Sequence, residues 1–440
     1  MTSPSVRRVI FAVTLVLSIA GIQLAHALGK LPVFQERVLP AEPSVPGSYA
    51  GISVAITPAG KRAVVGVPAQ GANHSLVLGS AVVYDSHGTA DWTVTARLRN
   101  NDPNSQNQGQ GVAMSADGNI ICTSDFLADN SQGAVYVFHY SGGTWDSGVK
   151  LVSSHRLDST YFGFGFAISL DGNTIGTVQA DIGGGAFIFA RTKTNSWQQQ
   201  GPRIDLNLSS SGFQQQSVAL SSNGNFLIIG APYDLVSQGS ISFFKRSPSK
   251  TWQQSGPKIT VVGSNYLGYG LSLSADGSVL LASGYPGCSV FQIDTQAVTY
   301  NILQALAVPL SESDFGASVA MSTDAKRIIV GSARVSSNVS LMTATNETYT
   351  YFTGGAFIFD RSGDGLTPYE FVGSFSLPPQ FYPNPESYYH QNSGFGYAVA
   401  VSDENHFVIG AYGSPAGLYT PENTEGIGMV PLCVKLAKDN

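Results

Sequence analysis

Two groups of side chains in this chain have the types and grouping that chemistry would need. The first is a set of carboxylates, Asp125, Asp129, Asp181 and Asp234, each just after an apolar run. Gathered on one face, such groups could hold a cation or move protons. An Asp that opens a loop also hydrogen-bonds its own backbone, and that is the expected role here. The second group is aromatic. Tyr349, Tyr351, Phe352, Phe381, Tyr382, Tyr388, Tyr389, His390, Tyr412 and Tyr419 gather in three stretches, 333–353, 377–393 and 412–425. Tyrosine joins a large apolar face to a polar tip at low entropic cost, which suits recognition surfaces. No His-Glu-x-x-His or Gly-x-Ser-x-Gly string occurs, and the seven histidines are scattered, so no catalytic residue is assigned. Cys122, Cys288 and Cys433 lack metal-ligand spacing, and neither metal nor cofactor is expected.

These residues interrupt or punctuate a repeat. Its clearest copy runs from Phe213 to Trp252: an alternating run at 217–221, a Ser-Asn-Gly turn at 222–224, a second run at 226–230 and a third from Gly239 to Phe244. Equivalent turns fall at Ala59-Gly60, Asp117-Gly118, Asp171-Gly172, Asn223-Gly224, Asp276-Gly277, Asp324-Ala325 and Asp403-Glu404. Asp-Gly and Asn-Gly favour two-residue hairpins in which both central residues take positive φ. The third run recurs letter for letter as Gly-Gly-Ala-Phe-Ile-Phe at 184–189 and 354–359. About a dozen residues on stands an aromatic that opens a fourth strand. Trp92, Trp145, Trp197 and Trp252 fill this slot, and Tyr300 and Tyr369 fill it later. A residue type reserved for one slot implies packing between neighbouring sheets.

The expected fold is all-β: a seven-bladed β-propeller of four-stranded blades, occupying residues 28–440. Radial packing buries both faces of each sheet and leaves short edges. The last repeat supplies three strands, and the segment 34–39 reads as a fourth strand without partners of its own, so it should complete the last blade. Loops between strands two and three share a face with the connections into the next blade. That places the three aromatic insertions together over two neighbouring blades. Asp125, Asp181 and Asp234 would lie on this face too, near the mouth of the central channel.

The repeat resembles the FG-GAP repeat of the integrin α-subunit N-terminal propeller. The resemblance rests on Phe164-Gly165, Gly230-Ala231-Pro232, Phe315-Gly316, Phe395-Gly396 and Gly410-Ala411, and spans about residues 32 to 434. It implies a propeller and an adhesion or recognition role. Several integrin blades hold calcium between strands one and two, but the short Ser-x-Asp-Gly turns here carry one carboxylate where a calcium loop needs several oxygen ligands. The string Asp360-Arg-Ser-Gly-Asp-Gly lies in another loop and lacks the later ligands, having Pro368 and Phe371 instead.

Composition bounds the rest. The chain is 43% hydrophobic, only 12% charged, and carries a net charge of -6, which leaves no basic stripe for nucleic acid. Arg7 and Arg8 precede an apolar core at 9–20 and an Ala25-His26-Ala27 site, the pattern of a secretory signal (residues 1–27) cleaved after Ala27. The mature chain is then expected to be secreted or held at the cell surface, without a membrane span, and monomeric. Asn73, Asn207, Asn338 and Asn346 begin Asn-x-Ser/Thr glycosylation sequons. The functional expectation is a recognition or adhesion module that binds an extracellular protein or glycan on the loop face. The alternative is a propeller enzyme, a hydrolase or lyase, that uses the channel-mouth acids.

Overall fold

A computed structural model describes residues 34–38, 50–68, 79–87, 92–105, 107–181, 183–209, 216–285, 287–306, 314–333, 336–342, 348–352, 354–363, 367–376, 394–403, 406–411 and 432–436. Its unit is built outward from the Ser-x-Asp-Gly turn. In the second repeat, the Ser115 amide donates to the Ile120 carbonyl and the Gly118 amide to the Ser115 carbonyl, closing a four-residue loop. The Ser115 hydroxyl donates to Asp117 at 2.6 Å and accepts from the Ile120 amide. Only the glycine takes positive φ (71°). The same bonds recur around Ser169, Ser221, Ser274 and Ser322. The expected two-residue hairpin is therefore corrected. The serine hydroxyl donates to the Asp inside a longer loop and accepts from the amide that closes it, and the Asp keeps an ordinary φ.

Each turn joins the two inner strands of an antiparallel sheet. Six sheets of four or five strands are each built within one repeat, and one two-stranded hairpin stands apart. The first comprises Val54–Ile56, Arg62–Val67, Ser80–Ser86 and Trp92–Leu98. The second comprises Gly111–Met114, Ile120–Asp125, Ala134–Ser141 and Val149–Leu151. The third, fourth and fifth start at Phe166–Ile168, Ser217–Leu220 and Leu271–Leu273. The sixth comprises Phe315–Met321, Arg327–Ser332, Gly355–Asp360 and Glu370–Ser376. The remaining sheet is composite: Phe395–Val401, His406–Ala411 and Leu432–Leu436 pair in that order, and Phe34–Val38 pairs antiparallel with Leu432–Leu436. The protein is thus an all-β propeller of four-stranded blades.

Adjacent blades are joined twice. Turn-to-turn hydrogen bonds run from Ala116 to Leu170, Asp171 to Ser222, Ser222 to Ala275, Ala275 to Thr323, Thr323 to the Asp403 carboxylate, and Asp403 to Pro58. Arg62 reaches the Gly118 carbonyl across the gap between the first and second blades. Each gap also has its own apolar cluster. Because a cluster lies on each side of a blade, second strands such as Ile120–Asp125 and Phe226–Ala231 are buried along their whole length. The slot aromatics do the expected packing: Trp92, Trp145, Trp197, Trp252, Tyr300 and Tyr369 each join the cluster towards the preceding blade. Trp145 does so from a two-residue strand, Thr144–Trp145, ahead of the outer strand.

One register is corrected. The structural equivalent of Phe315-Gly316 and Phe395-Gly396 in the third blade is Phe162-Gly163, two residues earlier than Phe164-Gly165. Phe162 is fully buried and meets Phe187 and Phe189 edge to face, as Phe315 meets Phe357 and Phe359. Gly163, Gly316 and Gly396 all take positive φ (86°, 99° and 84°), whereas Gly165 does not. Leu267-Gly268 is the same element in the fifth blade, with φ of 88° at the glycine. Two adjacent Phe-Gly pairs in 162–165 left the choice open in the one-dimensional pattern.

Candidate binding cleft on the loop face

The segments after second strands and those before first strands emerge together, as expected, and they frame one cleft of about 390 Å3. Tyr233, Tyr285 and Ala333 follow the second strands of the fourth, fifth and sixth blades. Tyr266, Tyr269 and Asp314 lead into the first strands of the fifth and sixth, Gly316 lies on the first strand of the sixth, and Tyr397 on that of the composite blade. The residue just after the repeat glycine explains the hollow. It is Phe164, Tyr269 and Tyr397 in three blades but Ala317 in the sixth, between Tyr269 and Tyr397 around the ring. The first and second blades have Ile52 and Gln110 there, but a methyl group where both neighbouring blades carry a ring leaves room, and Tyr269, Ala317 and Tyr397 line the cleft.

The tyrosines are held by backbone bonds. The Tyr266 amide donates to the Ser237 carbonyl, the Leu267 amide to Gln238, and Tyr269 to the Tyr266 carbonyl. Tyr233 and Tyr266 meet edge to face, 5.5 Å between centroids and 71° between planes. Burial, then the neighbouring Tyr269 and Tyr266, push the Tyr233 phenol up from its ordinary value. Tyr266 and Tyr285 stay 40% and 56% exposed, leaving ring surface available to a ligand. Asp314 is exposed beside them, and no Lys, Arg or His is among the lining residues described.

The turn that carries Tyr233 is unusual. Leu235, Val236 and Ser237 take φ of 52°, 57° and 67° in succession. A β-branched residue in that region is strained by about 1–2 kcal/mol. Val236 is nonetheless almost fully exposed, so no buried contact compensates it.

The sequence-predicted acids are placed elsewhere, and none lines the cleft. Asp125 is buried at the end of its strand and accepts from Ser105, the Asn107 amide and the Leu127 amide. Asp181 receives Arg203 at 2.9 and 3.2 Å. Burial acts to raise the Asp234 carboxyl, but the Ser209 amide and hydroxyl, Ser240 and Lys258 outweigh it and hold it well below the carboxylate range. Asp129 binds Lys150 and Arg156. Asp360, which opens the calcium-like string, is paired with Arg327. Among the described residues no group of three or more His, Cys, Asp or Glu could hold a metal ion.

The predicted aromatic patch is described in part. Tyr349, Tyr351 and Phe352 belong to a strand, Thr348–Phe352, that pairs with Ser336–Met342 as a separate hairpin starting three residues after Ala333. Asn338 is in the same hairpin. Tyr382, Tyr388, Tyr389, His390, Tyr412 and Tyr419, with Phe381, Asn73 and Asn346, lie outside the described residues, as does the predicted signal segment. Asn207 is exposed, at a φ of 50°. Sequence reasoning missed the cleft tyrosines because they are spread over positions 233 to 397 and none lies in an insertion. The signal that could have found them is the substitution of Ala317 in a slot that is aromatic in neighbouring copies.

No family model matches the chain, and no curated protein matches it by sequence. Among solved structures, it is similar to the β-propeller domain of Cps50 (Swd1) from Myceliophteria thermophila, at 11% identity and a TM-score of 0.54, over 92% of this chain and 100% of that one. It is similar to the periplasmic gluconolactonase PpgL of Pseudomonas aeruginosa, at 14% identity and a TM-score of 0.51, over 74% and 85%. It is also similar to hydrazine synthase of Kuenenia stuttgartiensis, at 14% and 0.51, over 84% and 94%. Likenesses at this identity establish the propeller fold and nothing finer.

Proposed function

We propose that this protein is a secreted or cell-surface recognition module, an FG-GAP-type propeller of seven blades whose last blade is completed by the N-terminal strand, and that it binds an extracellular protein or glycan through the tyrosine-lined cleft. The observation that carries the reading is the cleft itself. Five tyrosines from three blades converge on one hollow, four of them on loops or connections, with ring surface exposed. Aromatic anchors around a preformed hollow are what recognition sites use to gain contact area at low entropic cost. The candidate acids, by contrast, are engaged by their own blades, as structural loop anchors are.

The test is a binding screen of the purified chain against glycans and cell-surface proteins, run beside Ala317→Phe. The larger residue restores the ring found at that position in other blades and fills the hollow. A saturable ligand of the parent protein should lose at least tenfold in affinity to the variant, whose thermal melt should stay within a few degrees. A ligand that binds both proteins equally would sink the cleft as the site.

A further inference from the structure

We infer that the corner between the fourth and fifth blades is a lipid-docking surface, which seats two valine-tipped turns in the headgroup boundary of a zwitterionic bilayer. The inference concerns the turns beside the cleft and stands whether or not the cleft holds a ligand of its own. Eight large apolar side chains are exposed among the described residues, and five of them, Leu235, Val236, Val262, Tyr266 and Tyr285, share this corner. Such a concentration marks an interaction surface, whereas single scattered residues would need no explanation. Backbone bonds lace the three segments together. The Tyr266 amide donates to the Ser237 carbonyl at 2.8 Å, and Asn265 and Tyr285 exchange amide-to-carbonyl bonds at 2.9 and 2.6 Å. The two valines are the most exposed of the set, Val236 at 96% and Val262 at 104%. Val262 is the second residue of a turn closed by the Ser264 amide on the Val261 carbonyl, with Gly263 at a φ of 80°. A Cβ on Gly263 would meet nothing within 4 Å, so this apex projects freely. Val236 is the middle one of three left-handed residues. Turn apexes ordinarily carry Gly, Asn, Asp, Ser or Pro. Here two adjoining turns each present a β-branched aliphatic side chain instead.

Charge selects the kind of surface. Residues 235–244, 259–275 and 284–293, which contain the five, have no charged side chain. At the edges of these segments Lys258 and Asp234 bind each other at 2.9 Å. A phosphatidylcholine surface, without net charge, complements such a patch, whereas an anionic one would repel a chain of net charge -6. Tyr266 and Tyr285 add rings with phenol tips, the combination that places tyrosine at membrane–water interfaces. A folded protein partner would need a socket for each projecting valine. A bilayer needs none, because fluid acyl chains close around any apolar tip. The corner between the second and third blades has Asp129 and Asn130 at the left-handed positions and Arg156 and Asp158 in its connection, groups that a lipid boundary would exclude.

The test is flotation of the whole chain with phosphatidylcholine vesicles, beside a Val236→Asn/Val262→Asn double variant whose folding is checked by thermal melt. The parent should float with the vesicles, at low and high salt alike, because no charge takes part. The double variant should lose about tenfold or more in partition, since burying one valine is worth about that factor. A tryptophan introduced by Val262→Trp should be quenched by brominated acyl chains, and one introduced by Ser249→Trp, at the other end of the blade, should not. Ala317→Phe should float like the parent. A parent that stays unbound, equal flotation of parent and double variant, or a requirement for phosphatidylserine would each overturn the proposal. So would flotation abolished by Ala317→Phe, because a headgroup would then be entering the cleft. A parent dimer that the double variant dissolves, without flotation, would overturn it in favour of self-association through the valines. The glycan and protein screen is independent of all these results, so the two readings fail separately.

Discussion

The corner between the second and third blades and the corner between the fourth and fifth are copies of one device. In both, the chain leaves a second strand, takes three successive left-handed residues and docks on the next blade. The residues are Asp129, Asn130 and Ser131 in one, and Leu235, Val236 and Ser237 in the other. In both, a glycine follows at positive φ, Gly133 or Gly239, where a Cβ would lie 2.1 Å from the Phe162 carbonyl or 2.3 Å from the Leu267 backbone. The Phe162 amide bonds Gln132 as the Leu267 amide bonds Gln238, and Tyr161 and Tyr266 share a positive φ. The backbone is conserved between the corners while the chemistry on it has diverged.

In the first corner the left-handed positions carry Asp and Asn, the types that tolerate them. Asp129 is bound by Lys150 and Arg156, and Phe126 packs against Tyr161 and Phe164. That corner is closed. In the second, Leu and Val occupy the same positions, exposed and strained, the three aromatics are all tyrosines, and Tyr285, Asp314 and Ala317 open the space beyond. The second corner thus keeps strain and exposed apolar area that the first avoids. The buried acid has moved as well, from Asp125 at the strand end in one corner to Asp234 in the other, where its counterpart is Ala128.

The comparison can be broken at the buried acid first. Asp234→Ala should cost about 3–5 kcal/mol in urea unfolding, because it leaves Lys258 and the Ser209 amide without their shared acceptor. Asp129→Ala removes partners that are themselves more exposed and should cost about 1 kcal/mol. Equal losses would mean that the two corners are not stabilised differently.

Next in size is an exchange of the strained residues. Val236→Asn should stabilise by about 1 kcal/mol, and Asn130→Val should destabilise by a similar amount. If Val236→Asn destabilises instead, Val236 has a packing role, and the contrast between the corners fails.

The smallest effect is that of pH. The Asp234 and Asp129 carboxyls both lie below their ordinary value of 3.8 in the folded chain. A depressed carboxyl contributes stability that is complete above its unfolded value and disappears as pH falls through the folded one. Stability should therefore be flat from neutrality to about pH 5 and decline below about pH 4. Asp234→Ala should flatten that decline more than Asp129→Ala, as thermal melts across the acid range would report.

Much of the fold could be read before any coordinates. The Ser-x-Asp-Gly turns, the alternating runs and the single slot for tryptophan each depend on residues a few positions apart, and each appears as a hairpin or a gap-filling ring. The misreadings were of two kinds. Asp-Gly alone suggests a two-residue turn, whereas the serine two positions earlier lengthens it by bonding the Asp and the amide that closes the loop. Phe164-Gly165 was preferred to Phe162-Gly163 because only a buried edge-to-face contact and a positive φ distinguish two identical dipeptides. For the candidate site, the search for clustered tyrosines favoured insertions, where the letters lie close together, and passed over Tyr233, Tyr266, Tyr269, Tyr285 and Tyr397.

The sequence by itself determined the blade: hydrogen bonding within a hairpin is a local requirement, and every repeat but the composite one meets it with its own strands. Only the tertiary structure decided the cleft. The convergence of tyrosines from three blades, and the hollow left by one alanine between two rings, exist only when the blades are set side by side at the angle of a closed ring, and no interaction short in sequence encodes that angle.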